Sequence, residues 1–285
     1  MDFVFYKPST GSDLVNGLGR ILDQESAFSK ITMNQCAREQ FGKILSSFFD
    51  RIYCINLDTR PDRWKYVSTH FRKFGLHKKV ERFSAVDIRM RKDLAQFETL
   101  QRKNFSLLGN CGCILSHRQI LEMAQSEGLE SILILEDDVE FLEENLSQVD
   151  ATLRELADLN WHVFYLGASY IKPFLSLSNH LINVNQGANA THAISYHRSV
   201  FKGILDLIPA KPEELIKRNI DSVNAIDIWL RSDSLDHSKF YGSNPIMAVQ
   251  GLQNSDIAKT QQNSIRDKQI ELFNKHLKSQ NQDGQ

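Results

Sequence analysis

An α/β fold built on a mostly parallel central sheet is the architecture this sequence predicts, on three observations. The first is the run Ser131-Ile132-Leu133-Ile134-Leu135, almost wholly apolar, which passes straight into Glu136-Asp137-Asp138. So short an apolar run, bounded by Gly128 upstream and by acids downstream, reads as a buried strand. The second is the alternation of such strands with helical patterns along the chain, which favours parallel pairing with helices on both faces. The third is bulk composition. A chain of 285 residues, 41% hydrophobic and 24% charged, is ordinary for a globular protein and long enough for one large or two small domains.

Taken in order, residues 1–48 read as a short helical N-terminal appendage, its second helix-like segment running from about Asn34 to Phe48. Arg51 to Leu57 reads as a strand. Pro61 at an early helical position and the spacing of Trp64, Val67, Phe71 and Phe74 predict the next helix, with Gly75 as its stop. Val80 to Val86 is a second strand that ends at Asp87. Residues 88–108 carry no clear pattern. Gly109 to Gly112 reads as a glycine-bearing turn, followed by a helix to about Ser126 that buries Ile114, Leu115, Ile120, Leu121 and Ala124. After the acidic strand come a helix near Ser147 to Leu156, a strand from Trp161 to Gly167, another over His192 to Tyr196, and a helix over Val200 to Ile208. A long helix from Pro212 towards Leu230, an extended stretch from Phe240 to Val249 and a charged C-terminal helix complete the chain. The expected organisation is an appendage at 1–48, a main domain at 49–263 and a terminal helix with a frayed tail at 264–285.

Bulk charge excludes some functions. A formal net charge of −1 offers no electrostatic case for binding nucleic acid. The basic runs Arg89-Met90-Arg91-Lys92 and His77-Lys78-Lys79 read as solvated turns or helix faces. With no apolar run of 18 residues, no membrane-spanning helix is expected. Met1 to Pro8 lack the basic start and small-residue cleavage site of a secretory signal. Cys36, Cys54, Cys111 and Cys113 show no zinc-binding spacing, and Cys111 and Cys113 are too close to pair. A reducing, cytoplasmic compartment is the expectation, with peripheral membrane contact left open.

Three adjacent carboxylates at a strand end cannot all be buried unpaired, because a lone ionised carboxylate is too costly to desolvate. Either a divalent metal or a set of Arg and Lys side chains must face them. Oxygen-rich sites favour Mg²⁺ or Mn²⁺, and open α/β sheets bind ligands in the crevice beyond their strand ends. The plainer alternative is that the acids cap a following helix. Asp137-Asp138-Val139-Glu140 lacks the one-residue spacer of a haloacid-type phosphatase. Asp58-Thr59-Arg60-Pro61 lacks the glycine a nucleotidyltransferase loop would need.

Five landmarks stand in one order: Asn56-Leu57-Asp58-Thr59-Arg60-Pro61-Asp62-Arg63, Phe83-Ser84-Ala85-Val86-Asp87, Gly112-Cys113-Ile114-Leu115-Ser116-His117, Glu136-Asp137-Asp138 and Tyr165-Leu166-Gly167. Over about residues 51–257 the chain resembles glycosyltransferase family 25, which includes lipooligosaccharide and collagen galactosyltransferases. The resemblance implies a GT-A-like fold, a nucleotide-sugar donor, and hexose transfer, often galactose from UDP-galactose, to a saccharide, lipid-linked or protein-linked glycan. It also implies Mn²⁺ (or Mg²⁺) held by the acidic motif. Carried over, Asp138 is the expected direct metal ligand, with Asp137 and a late Asp256 as further metal contacts. Asn56, Arg60, Arg63, Asp87, His117, Glu136 and Asp137 are the expected donor-binding residues. In an inverting transfer a carboxylate must deprotonate the acceptor hydroxyl. Asp227, beside Trp229 as a sugar-stacking aromatic, is the candidate, with Asp221 and Asp256 in competition. Where the family often has glycine after its second acid, Ile88 stands here, which leaves the role of Asp87 open. A non-catalytic module on the same fold is the alternative.

Overall fold

The structure is a computed structural model that describes residues 34–91, 93–94, 106–222, 224–251 and 263–282. Its centre is an eight-stranded sheet in the order β2-β1-β3-β8-β5-β9-β7-β6. The strands are β1 (Arg51–Asn56), β2 (Val80–Ser84), β3 (Ser131–Glu136), β5 (Val163–Ser169), β6 (Leu175–Ser176), β7 (Leu181–Asn183), β8 (Asn189–His197) and β9 (Phe240–Ser243). β1 pairs in parallel with β2 and with β3, and β5 with β9. β8 lies antiparallel between β3 and β5, and β7 is antiparallel to both β9 and β6. Only β8 and β7 therefore oppose the common direction, which is the α/β sheet expected. A separate two-stranded ribbon joins β4 (Val139–Phe141) to β10 (Ala248–Gln250).

The apolar runs are continuous because both sheet faces are covered. Tyr53, Ile55, Ile132 and Ile134 enter one core. The alternate residues Ile52, Cys54, Leu133 and Leu135 enter the other. A period-two strand buried on both sides has no solvent face, so it shows no polar alternation.

The helices are α1 (34–48), α2 (Pro61–Lys73), α3 (Leu107–Ser126), α4 (Val149–Ala157), α5 (Arg198–Leu207), α6 (Pro212–Asn219), α7 (Ile226–Trp229) and α8 (Asn263–Gln282). α2 buries Val67 and Phe71 as its spacing predicts, and Gly75 and Gly128 follow α2 and α3 with φ of 67° and 70°. α1 packs Phe41 and Leu45 into the second core, where the Phe41, Phe74 and Phe141 rings meet at 5.0–5.8 Å. Two expectations need correcting. Gly109 to Gly112 is the first part of α3, not a turn ahead of it. The predicted helix from Pro212 to Leu230 breaks into α6 and α7 after Asn219. The Phe240–Val249 stretch is extended as expected, as two strands in two different sheets. Among the described residues no helix is long and apolar enough to cross a membrane.

α2 is tied to β4 through His70, whose Nε2 accepts the Phe141 N–H at 3.0 Å while its ring packs against Phe74 and Phe141. Burial holds the His70 pKa down to about 4, against a partial opposing pull from Glu140. The folded chain thus takes up this proton later than the unfolded chain. Stability present above pH 6.5 is lost as pH falls towards 4. His70→Gln keeps an acceptor for Phe141 and is expected to flatten the stability–pH curve in that window by up to about 1.4 kcal/mol per pH unit. Denaturant unfolding at stepped pH measures this, and an unchanged slope would refute the assignment.

Candidate functional site

β3 delivers Glu136 to the sheet's edge, and Asp137-Asp138 form the turn into β4. Asp137 and Asp138 are 7% and 4% exposed, so their partners decide what the turn can do. Asn56, at the end of β1, donates from Nδ2 to Asp137 Oδ2 at 2.7 Å and to the Arg60 carbonyl at 3.1 Å. Its Oδ1 accepts from Arg82 Nε at 2.9 Å. Arg82 also pairs with Asp58 and lies 5.8 Å over the Trp64 ring. Pro61 starts α2 directly after this loop, which sets Arg63 in the first turn facing back over the sheet. There Arg63 is buried and pairs with Asp137 Oδ1 and, at 3.2 Å, with Asp138 Oδ2.

The remaining oxygens are the ones that matter. Asp138 Oδ1 is buried and has no hydrogen-bond partner among the described residues. Glu136 Oε1 accepts from the Thr191 hydroxyl at 2.7 Å. Burial pushes the Glu136 pKa up to about 8, with the charge of Asp138 adding to it. Burial likewise lifts Asp138 to about 6, although Arg63 pulls the other way. Repulsion among the neighbouring carboxylates adds to burial in both shifts. Among the described residues Arg63 is the cation paired with Asp137 and Asp138, which leaves negative charge for protons or a cation to match. A dipositive ion with oxygen preference fits that residue of charge. Mg²⁺ and Mn²⁺ are commonly held by one or two carboxylates together with a substrate's phosphates.

The acids line a cavity of about 560 Å³, a volume typical of small-molecule sites. Its walls come from the ends of β1 and β2, the first turns of α3, the start of β8, Asp227 on α7, and α8. α3 sits tight against the β2 end because Gly112 has no side chain: a Cβ there would lie 2.3 Å from the Val86 carbonyl oxygen. One turn later Ser116 Oγ accepts the Val86 N–H at 2.9 Å and donates to the Gly112 carbonyl at 2.8 Å. The glycine and serine of that sequence element thus dock the helix on the strand. α8 is pinned over the cavity by Gln269, which accepts from Gln250 N at 3.0 Å and donates to Ser169 Oγ at 2.8 Å.

Asn56, Arg63, Asp87, Glu136, Asp137, Asp138 and Asp227 all line this cavity. Asp87 caps the short 3₁₀ turn Ile88–Met90 and holds Arg89 through both oxygens, at 2.7 and 2.9 Å. Asp227, 8% exposed, accepts the Ala190 N–H at 3.3 Å, and Ala190 takes a left-handed φ of 65° to present it. Arg60 instead folds back onto Asp62 at 2.8 Å, away from the cavity wall. His117 is wholly buried, with its Nδ1 3.3 Å from the Tyr196 hydroxyl and its pKa held down to about 3 by burial. Trp229 donates to Asn219 Oδ1 at 3.2 Å and packs on the core, so it is not the stacking aromatic expected beside Asp227. Asp256 lies outside the described residues. Asn189, Thr191, Lys268 and Gln269 also line the cavity; Thr191 opens a stretch that resembles a strand of the family, and no motif in the sequence marked the other three. The buried Asn189 Oδ1 has no partner among the described residues.

Residues 49–204 match the profile of glycosyltransferase family 25, described as LPS biosynthesis protein. This chain belongs to glycosyltransferase family 25. The matched span runs from β1 into α5, so in this family 25 chain it contains the acidic turn but stops short of Asp227 and α8. A "Glycosyltransferase 25 family member" of Aedes aegypti is 33% identical over 129 residues, 41% of this chain and 21% of that relative. A "Probable inactive glycosyltransferase 25 family member 3" of Bos taurus is 28% identical over 137 residues, 44% of this chain and 23% of that relative. The chain spans less than a third of the length of these curated relatives. A solved structure titled as a glycosyltransferase involved in the glycosylation of the major capsid of PBCV-1 is similar at a TM-score of 0.33 and 12% identity, over 60% of this chain and 74% of that one.

Arg63 should be worth most to the fold when its acids are present. Arg63→Met is expected to cost about 3 kcal/mol, because it strands buried carboxylates. Asp137→Asn on that background should recover part of the loss. Denaturant unfolding of the four chains in this cycle measures the coupling, and strictly additive losses would contradict the pairing.

Proposed function

We propose that this chain is a metal-dependent glycosyltransferase that moves a hexose, galactose foremost, from a UDP-linked donor to a hydroxyl of a saccharide or of a lipid-linked or protein-linked glycan. The observation that carries the reading is the buried Asp138 Oδ1, an oxygen with no partner among the described residues, on the wall of a cavity fit for a small molecule. Asp138 and Glu136 are the residues that would hold Mn²⁺ or Mg²⁺, and Asp137, occupied by Arg63 and Asn56, keeps the turn rigid. Bound there, such an ion supplies positive charge against the negative charge that grows on the departing diphosphate.

The remaining steps belong to the chain's own groups. Lys268 brings further positive charge to the cavity, and the Arg89 guanidinium, held against Asp87, lies on its wall; both suit the donor's phosphates. Asn189 Oδ1 and the Thr191 side chain are placed to meet sugar hydroxyls. Asp227, oriented by the Ala190 N–H, takes the proton from the acceptor hydroxyl in an inverting displacement. Glu136, Asp138 and Asp227 line the same cavity, which supports the reading of metal-binding acids and base as one site. A cytoplasmic setting is part of the same proposal, since all four cysteines are unpaired thiols.

A non-catalytic module is the second reading, and relatives named inactive favour it. Against it stands the acidic turn itself. A chain released from catalysis has no need to bury more negative than positive charge, and replacing such clusters by apolar groups commonly stabilises a fold.

A panel of nucleotide sugars, assayed with and without Mn²⁺ for hydrolysis and transfer, separates the two readings. Metal-dependent turnover is expected, lost in Asp138→Asn with the melting curve retained. Asp227→Asn should lower kcat by about 10²–10⁴-fold with donor affinity little changed. Full turnover of Asp138→Asn would remove the metal assignment, and no turnover of any sugar by the unaltered chain would favour the non-catalytic module.

A further inference from the structure

We propose that Cys113, His117 and Glu136 form a second cation site, for Zn²⁺ or another borderline transition metal, set in the cavity wall behind the acidic turn and sharing Glu136 with it. Cys113 and His117 are four residues apart on α3, which puts both side chains on one face of the helix. The Gly112–Val86 contact docks α3 on the sheet through a neighbouring face, and Glu136 ends β3 within reach of Cys113 and His117. One donor atom from each of the three side chains falls within 4.8 Å of the others. Donors bound to one tetrahedral zinc at about 2.0–2.3 Å stand roughly 3.5 Å from one another, a separation that small side-chain rotations reach from here.

His117 points to a ligand independently of that grouping. Its side chain is wholly buried, and its Nε2 has no hydrogen-bond partner among the described residues. A buried ring nitrogen left in this way is costly in an ordinary core. The other ring nitrogen, Nδ1, lies 3.3 Å from the Tyr196 hydroxyl. A proton on Nδ1 donated to Tyr196 leaves the Nε2 lone pair for a metal, the arrangement usual for a ligating histidine. Thr191 steadies the third donor through Glu136 Oε1.

Sulfur, nitrogen and a single carboxylate are the donors that select zinc, cobalt or iron over magnesium or manganese. Cys113 and Glu136 both line the cavity, so an ion on these three residues keeps a coordination position directed into it. Sites with three protein ligands and one open position are the catalytic rather than the structural kind. The site shares Glu136 with the cation position proposed above but takes its sulfur and nitrogen from α3, and it holds whether or not Asp138 carries sugar transfer.

Cobalt(II) reports this directly, because a thiolate ligand gives a sulfur-to-cobalt charge-transfer band in the near ultraviolet. The full chain, stripped of metal and titrated with Co²⁺, is expected to show that band at one equivalent and to lose it when Zn²⁺ is added. Cys113→Ser should abolish the band, His117→Gln should weaken Co²⁺ binding at least tenfold, and Asp138→Asn should keep the band. A second measurement needs no variant. Zn²⁺ should slow alkylation of Cys113 at least tenfold, read by peptide mass mapping, and leave Cys36 unaffected. Absence of the band in the unaltered chain, its survival in Cys113→Ser, or alkylation indifferent to Zn²⁺ would each overturn the proposal.

Discussion

The buried pairing of Arg63 with Asp137 and Asp138 is the constraint on which the rest of the site depends. A guanidinium at this depth is tolerable only with carboxylates opposite it, and the carboxylates are tolerable only with the guanidinium. Asn56 completes the arrangement by taking the remaining oxygen of Asp137 and reaching the Arg60 carbonyl. Three segments distant in sequence, namely the end of β1, the first turn of α2 and the turn after β3, are thereby fixed to one another. What they leave over is specific: one buried oxygen of Asp138 without a partner among the described residues, and the Glu136 carboxylate, on two residues that line a cavity.

The fold supplies the walls around that surplus. Parallel pairing of β1 with β2 and β3 brings their carboxyl ends to one edge, so Asn56, Asp87 and Glu136 converge without adjacency in the chain. Gly112 permits α3 to lie on the β2 end, and α3 carries Cys113 and His117 within reach of Glu136. β8 runs the other way between β3 and β5, so its beginning, not its end, faces the site and contributes Asn189 and Thr191. α8 closes the cavity from a part of the chain outside the segment that matches the family profile.

Much of the fold was legible because it rests on local pattern. Pro61, the Val67–Phe71 spacing and Gly75 predict α2 without any tertiary knowledge, and the apolar run before the acids could hardly be anything but a buried strand. Short β4, β6 and β7 were not legible, since two or three residues carry no periodicity. The break between α6 and α7 escaped for a related reason: the residues between them are compatible with helix, and only the packing of Trp229 on Asn219 shows the chain turning. Within the site, the acids and Arg63 stood out as charge beside apolar sequence. Cys113 carried no metal expectation because the cysteines match no linear zinc motif, and His117 stood out only as a donor-binding residue. The third donor comes from another strand, and linear spacing cannot show that. Lys268 and Gln269 were invisible for the same reason, being ordinary polar residues until α8 is placed.

The central claim is that Arg63 occupies one side of the acidic turn and leaves Asp138 Oδ1 to a cation. Crystals of the full chain soaked with Mn²⁺ and UDP, measured at the manganese absorption edge, test it most directly. The account predicts one anomalous peak in coordination contact with Asp138 Oδ1 and the UDP phosphates, with the Arg63–Asp137 pair intact. An ordered UDP with no manganese on Asp138, or a manganese bound only after Arg63 has swung away, would contradict it.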